Sequence, residues 1–364
     1  MRSAKLICLV SGLSLVALGC TPTAEESGTD TDTDVDTDDT DDGMTPVHVT
    51  IGTHIEYQTV KECKAYANLR TNLLEMANLT DSYGAAWNLQ VSGPFCDKVT
   101  ECDDASLQAD TNGKNLLQYL TEDFTKIRVD PHAHEDMENH TDIVVHLTEL
   151  GVPLETITVV GGFETQNQDQ FDSLDQGKAG TGDNSNVIWE PLVLTFAAVP
   201  GHNFPDESLS YSSGVHKPGG FDLYPSNGQD GDFYFEHTPE NRMIVCGQGE
   251  PNSCAYSPGE GYFWQASDYV AQLVDFIETG EAPSGLLYTS TMATTSKQMG
   301  DFELYKDRYI DQLDELKLLV DEGKVVYVNY QDIPNLFAEY GELENQFALD
   351  NFPDHRTCEG GQEL

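Results

Sequence analysis

The sequence predicts an α/β domain built on a parallel sheet or barrel, and three observations carry that expectation. Short β-branched runs alternate with helical stretches over most of the chain. One Gly/Pro-rich segment interrupts the alternation, and about 320 residues remain for a single core once the N-terminal region is set aside.

Val47, Val49 and Ile51 alternate with His48, Thr50 and Gly52, which predicts a strand with one apolar face. Apolar residues at Val60, Ala67, Leu69, Leu73, Leu74 and Ala77 predict a helix closing near Tyr83-Gly84. A second strand is expected over 85–91, then a loop holding Cys96 and Cys102, a helix over 114–124 and a third strand over 126–130. A helix over 139–150 ends at Gly151, before a strand over 157–163. From 200 to 261 Gly, Pro, Asp and aromatic residues dominate, predicting long loops over the mouth of the domain with room for a small hairpin. Helices over 266–279, 302–322 and 333–340 then enclose strands at 285–289 and 325–329, which brings the total to roughly six or seven βα units.

The N-terminus reads as an export signal. Arg2 and Lys5 precede an apolar run over 6–18 that ends Ala17-Leu18-Gly19-Cys20. The small residue before Cys20 resembles the lipobox of bacterial lipoproteins, which implies lipidation of Cys20 and an outer-membrane or cell-surface location in the cell envelope. The run is shorter than the roughly twenty residues a membrane-spanning helix needs. Between Cys20 and Met44 a Thr/Asp alternation carries no basic or aromatic residue and cannot bury enough apolar surface to order itself. It reads as an extended, self-repelling spacer; as a calcium loop it lacks the turn glycine and distal Glu. The expected organisation is a signal peptide over 1–19, an acidic spacer over 20–46 and a folded domain over 47–364.

A formal charge of −45 disfavours nucleic acid or an anionic lipid surface as a partner. Besides Cys8 and Cys20, six cysteines remain: Cys63, Cys96, Cys102, Cys246, Cys254 and Cys358. An even number in an exported chain suggests three disulfides. Cys96 with Cys102 and Cys246 with Cys254 are close enough to staple single loops, leaving Cys63 for Cys358, although fifteen pairings are open.

Continued alternation past Gly52 puts His54 and Glu56 on the side of the first strand opposite its valines, at the C-terminal end where ligands gather in parallel α/β folds. The third strand ends Arg128-Val129-Asp130-Pro131-His132-Ala133-His134-Glu135-Asp136, the densest cluster of ligand-type residues in the chain. Two imidazoles two residues apart can reach one ion, and zinc favours nitrogen together with carboxylate oxygen. Otherwise Asp130 and Glu135 would cap the next helix. Asp142 is expected at a helix N-terminus and His146 packed or solvated, while Glu164 is a further candidate for the mouth. His202, His216 and His237 lie in the loop-rich middle without a partner at ligand spacing. Trp87, Trp189 and Trp264 are either sugar-stacking platforms or, more commonly for tryptophan, buried.

The segment Asp130-Pro131-His132-Ala133-His134-Glu135, the helix start Asn139-His140-Thr141-Asp142, Leu150-Gly151-Val152 and the late strand at 323–328 resemble the polysaccharide deacetylase superfamily, carbohydrate esterase family 4 and its relatives. The resemblance implies an irregular (β/α)7-type barrel in which a divalent metal activates water against an acyl group on a polysaccharide. In place of the family's Asp-Asp pair stands Thr53-His54-Ile55-Glu56, and the histidines are spaced His-x-His. The expected function is a membrane-anchored metal-dependent hydrolase. His54, Glu56, His132 and His134 would hold a divalent metal of zinc type, and Asp130 or Glu135 would orient an imidazole or accept the proton. The alternative is a surface carbohydrate-binding or assembly lipoprotein that kept the barrel and lost the chemistry; a glycoside hydrolase with paired carboxylates is a third class.

Overall fold

The computed structural model describes residues 45–56, 60–134, 138–163, 168–195, 215–216, 234–236, 240–241, 266–343, 345 and 347. The chain divides into two units, Met1–Gly43 and Met44–Leu364, and every described residue belongs to the second. Cys20, Cys246, Cys254, Cys358, Glu135, Glu164, His202, His237 and Trp264 lie outside the described residues, as does the side chain of His216.

Strand β1 (Val47–Ile55) leads into α1 (Cys63–Ser82), whose buried residues Tyr66, Leu69, Arg70, Leu73, Met76, Ala77 and Thr80 recur at helical spacing. Gly84, at φ +63, ends it: the amides of Gly84 and Ala85 turn back to the carbonyls of Asp81 and Thr80. Then come β2 (Trp87–Val91), α2 (Gly93–Cys102), α3 (Leu116–Asp123), β3 (Ile127–Pro131), α4 (His140–Glu149), β4 (Val159–Gly161) and α5 (Gln168–Asp175). Two short ladder strands, β5 (Lys178–Ala179) and β6 (Ile188–Trp189), precede β7 (Val193–Thr195), β8 (Val215–His216), β9 (Tyr234–Glu236) and β10 (Glu240–Asn241). The chain continues through α6 (Ala266–Thr279), β11 (Tyr288–Thr295), α7 (Ser296–Gly300), α8 (Phe302–Asp321), β12 (Val325–Tyr327) and α9 (Ile333–Glu339).

Among the described residues the strands form a mixed α/β arrangement with a mainly parallel sheet. Its order is β10-β11-β1-β2-β3, and β12 also pairs with β1. One edge of β1 is covered by β11 over Val47 to His54; the other is shared, with β12 taking Val47 to Val49 and β2 taking Ile51 to Ile55. A second sheet runs β4-β7-β9-β8 and meets the first through a parallel bridge between His132 and Gly161.

Every residue of β1 is buried, so both faces of the sheet are covered. One apolar cluster, including Val47, Val49, Ile51, Leu69, Leu73, Leu89 and Leu313, lies between the sheet and its helices. A smaller one gathers Val159, Val193, Val215, Leu287, Ala293, Tyr330, Ile333 and Phe337.

Two expectations are corrected. The presumed cysteine loop is the helix α2: Pro94 stands in its first turn, where its missing amide costs nothing, and the Glu138 carboxylate accepts the Gly93 amide at 3.0 Å. A helix also removes the pairing of Cys96 with Cys102, because residues six apart emerge on different sides of it. Cys102 instead joins Cys63, linking the end of α2 to the start of α1, and this excludes Cys63 with Cys358; Cys96 is a buried free thiol. Trp87 and Trp189 are buried in the core, the commoner outcome for tryptophan, their indole N–H groups donating to Thr53 Oγ1 at 2.8 Å and the Ile157 carbonyl at 3.2 Å.

Candidate metal centre

The register of the first sheet sets His54 beside Gln90 and Gln90 beside Asp130, so these side chains share one face, and His132, two residues beyond Asp130, follows on the same side. His54 and His132 are buried, with ring centroids 4.9 Å apart. Glu56 and His134 stand at the solvent side, with 34% and 27% of their side chains exposed.

Ligand atoms of His54, Glu56 and His132 all lie within 4.8 Å of one another. The Nε2 atoms of His132 and His134 are 3.4 Å apart, and Glu56 Oε1 is 3.8 Å from the first and 3.6 Å from the second. Tetrahedral zinc with bonds near 2.05 Å separates its ligands by about 3.3 Å, so these atoms are spaced almost as the edges of such a site. Imidazole nitrogens with one carboxylate oxygen are also the donor set a borderline ion prefers. Sequence-distant clusters near residues 55 and 133 therefore meet, as the alternation of β1 anticipates.

Backbone contacts hold both clusters. The Ser296 hydroxyl, at the start of α7, accepts the Glu56 amide at 2.7 Å and donates to the His54 carbonyl at 3.3 Å. On the other side, the His132 amide donates to the Val91 carbonyl and the Ala133 amide to that of Gly161, each at 2.9 Å. Gly162 sits at φ +69, and a Cβ there would come within 2.5 Å of His132 Nε2. Only glycine suits that backbone and leaves room for the ring.

Asp130 is fully buried and already engaged: Oδ1 accepts the Thr158 and Val159 amides at 2.9 and 3.0 Å, and Oδ2 accepts Asn88 Nδ2 at 2.6 Å. Among the described residues none of its hydrogen bonds goes to an imidazole. Burial pushes its carboxyl up to about 6 against the opposing pull of those donors and of Arg128. Its geometry ties β2, β3 and β4 together beneath the cluster.

Asp142 stands in the first turn of α4, at the helix N-terminus as expected, while Asn139 caps the helix, accepting the Thr141 amide at 2.9 Å. The Asp142 carboxylate accepts from the Thr181 amide and hydroxyl and from Asn184 Nδ2. His146 contacts Thr100 Oγ1 at 3.1 Å, away from the cluster. Ser296, Gln90, Asn88 and Gly162 were not singled out by sequence reasoning. The alternation Trp87-Asn88-Leu89-Gln90-Val91 is the available signal, since it sets two amides on the face opposite the apolar residues.

No protein-family model matches the chain, and no curated protein is similar to it in sequence. Among solved structures it is similar to a 4-alpha-glucanotransferase from Thermococcus litoralis, with a TM-score of 0.43 and 10% identity over 80% of this chain and 40% of that one. It is likewise similar to a GH57 branching enzyme from Thermococcus kodakaraensis, with a TM-score of 0.38 and 10% identity over 80% of this chain and 71% of that one. The chain thus spans two fifths of the glucanotransferase.

No family model matches the chain, that of the polysaccharide deacetylases included, so the expected membership in the deacetylase superfamily is corrected. The acyl-removing, metal-dependent hydrolase derived from that resemblance is withdrawn with it, as is membrane anchoring as part of the function. Among the described residues no helix is long and apolar enough to cross a membrane.

Proposed function

We propose that this chain is a metal-binding protein of an exported compartment, holding a divalent ion of zinc type through His54, Glu56 and His132, with His134 beside them. The observation that carries this reading is the clustering of three ligand atoms from the ends of two strands within 4.8 Å. Two of these donors are buried, so an ion there would be fixed by side chains whose rotamers the surrounding core already limits. The Cys63–Cys102 disulfide supports export, because such bonds persist in oxidising compartments.

In this proposal the parallel run β11, β1, β2, β3, β4, β7, β9 closes as a (β/α)7-type barrel with the centre at its mouth. Residues 234–236 and 240–241 support closure, since β9 pairs with β7 at one end of the run and β10 pairs with β11 at the other. The activity proposed is carbohydrate-directed, with a polysaccharide as partner. The partly exposed Glu56 and His134 leave a solvent-facing side where hydroxyl oxygens could reach the ion.

The test is calorimetric titration of chelator-treated protein with zinc. One equivalent should bind, and His132→Ala or Glu56→Gln should weaken binding at least about tenfold. Absence of binding by the unaltered chain overturns the reading.

A further inference from the structure

The strand interior beneath the cluster holds a chain of amides whose orientation is fixed from below. Asp130 already receives two backbone amides on Oδ1, so its Oδ2 takes the Asn88 amide nitrogen at 2.6 Å. That choice turns Asn88 Oδ1 toward Gln90, whose Nε2 donates to it at 3.0 Å. An amide has one oxygen and one nitrogen, so each bond determines the flip of the next residue. What remains is Gln90 Oε1, an acceptor on a fully buried side chain, with no hydrogen-bond partner among the described residues.

A buried acceptor left unmatched is costly, and such groups call for an explanation. Its surroundings supply one. Gln90 Oε1 rests against Gly161, where any Cβ would overlap it, just as a Cβ on Gly162 would overlap the His132 ring. The glycine pair therefore makes room for both side chains, and Gln90 sits opposite His54 in the register. His132 presents Nε2 to Glu56 and His134. An imidazole that binds an ion through Nε2 carries its proton on Nδ1 and needs an acceptor there.

Resting on the metal-binding reading above, we propose that Gln90 is a positioning residue of the centre: the Asp130–Asn88–Gln90 relay aims Oε1 to accept the Nδ1–H of His132 once Nε2 holds the ion. The relay ties the tautomer and ring orientation of His132 to the framework of β2, β3 and β4.

Two measurements test it. In zinc-loaded wild-type protein, nitrogen-detected NMR of the histidine side chains should show His132 protonated at Nδ1, with that proton protected from exchange. In Gln90→Met, which keeps the length and removes the acceptor, zinc should bind about tenfold more weakly while the metal-free protein melts within a few degrees of wild type; Gln90→Glu, which retains an acceptor oxygen, should restore affinity. Equal zinc affinity in wild type and Gln90→Met, or a His132 protonated at Nε2 in the loaded protein, overturns the proposal. A failure of Gln90→Met to fold leaves the wild-type NMR result to decide it. If wild type binds no zinc, the metal reading itself has failed, an outcome distinct from equal binding by the two proteins.

Discussion

His132 Nε2 and His134 Nε2 lie 3.4 Å apart, although their residues are separated by Ala133 on a segment that leaves the sheet at the bridge to Gly161. Two like imidazoles at that distance gain most when a cation stands between them. Adding zinc at about a hundred times its dissociation constant should therefore stabilise the chain by about 2.7 kcal/mol. Thermal melting with and without zinc checks this, and the double variant His132→Ala/His134→Ala should show no zinc-dependent rise.

Gly162→Ala tests the packing behind the site. The new methyl group would meet the His132 ring, and φ +69 disfavours any Cβ. Gly84, at φ +63, has nothing within 4 Å of such a methyl and serves as the control. Both variants should lose about 1 kcal/mol of stability from the backbone. Only Gly162→Ala should also lose zinc affinity, by tenfold or more on the scale of supporting-residue changes.

His140 yields a pH dependence remote from the centre. It is fully buried against Phe163 and Trp189, and burial, aided by Lys178, lowers its pKa to about 3. The folded pKa lies below that of the unfolded chain, so the unfolded state takes up the proton first. Stability is complete above about pH 6.5 and falls by up to about 1.4 kcal/mol per pH unit below it, until the folded pKa is passed. His48, also lowered by burial, acts in the same direction. Urea denaturation between pH 7 and 4 in chelator should give a shallower acid slope for His140→Phe than for wild type.

The disulfide assignment is open to a direct check. Peptide mapping without reduction should recover Cys63 linked to Cys102, and Cys96 should be alkylated only after unfolding. A peptide linking Cys96 to Cys102 would contradict it. Replacing Cys63 and Cys102 by Ser should cost about 2 to 4 kcal/mol, since the bond closes a loop with a sequence separation of 39.

Much of the framework was legible because periodicity is local. The helix at 266–279 occupies the span its apolar spacing predicts, and β1 begins where Val47 begins the alternation. The helix α2 was missed because Gly93-Pro94 reads as a breaker, although proline is well suited to a first turn. β11 runs to Thr295, six residues beyond the expected end, because its threonines pair with β1 across the whole of Val47 to His54. The cysteine partners depended on where α1 and α2 come together, which spacing does not encode. At the site, residue types marked the two clusters, but their meeting depends on the register of β1, β2 and β3. The resemblance around Asp130 to His134 misled on family because a short His-x-His run can sit on a strand end in unrelated chains.

X-ray absorption at the zinc edge of the loaded protein tests the central claim most directly. The account predicts one ion per chain with a first shell of nitrogen and oxygen near 2.0 to 2.1 Å and the outer-shell pattern of at least two imidazoles. A shell containing sulfur, a shell of oxygen alone, or a signal unchanged in His132→Ala would contradict it.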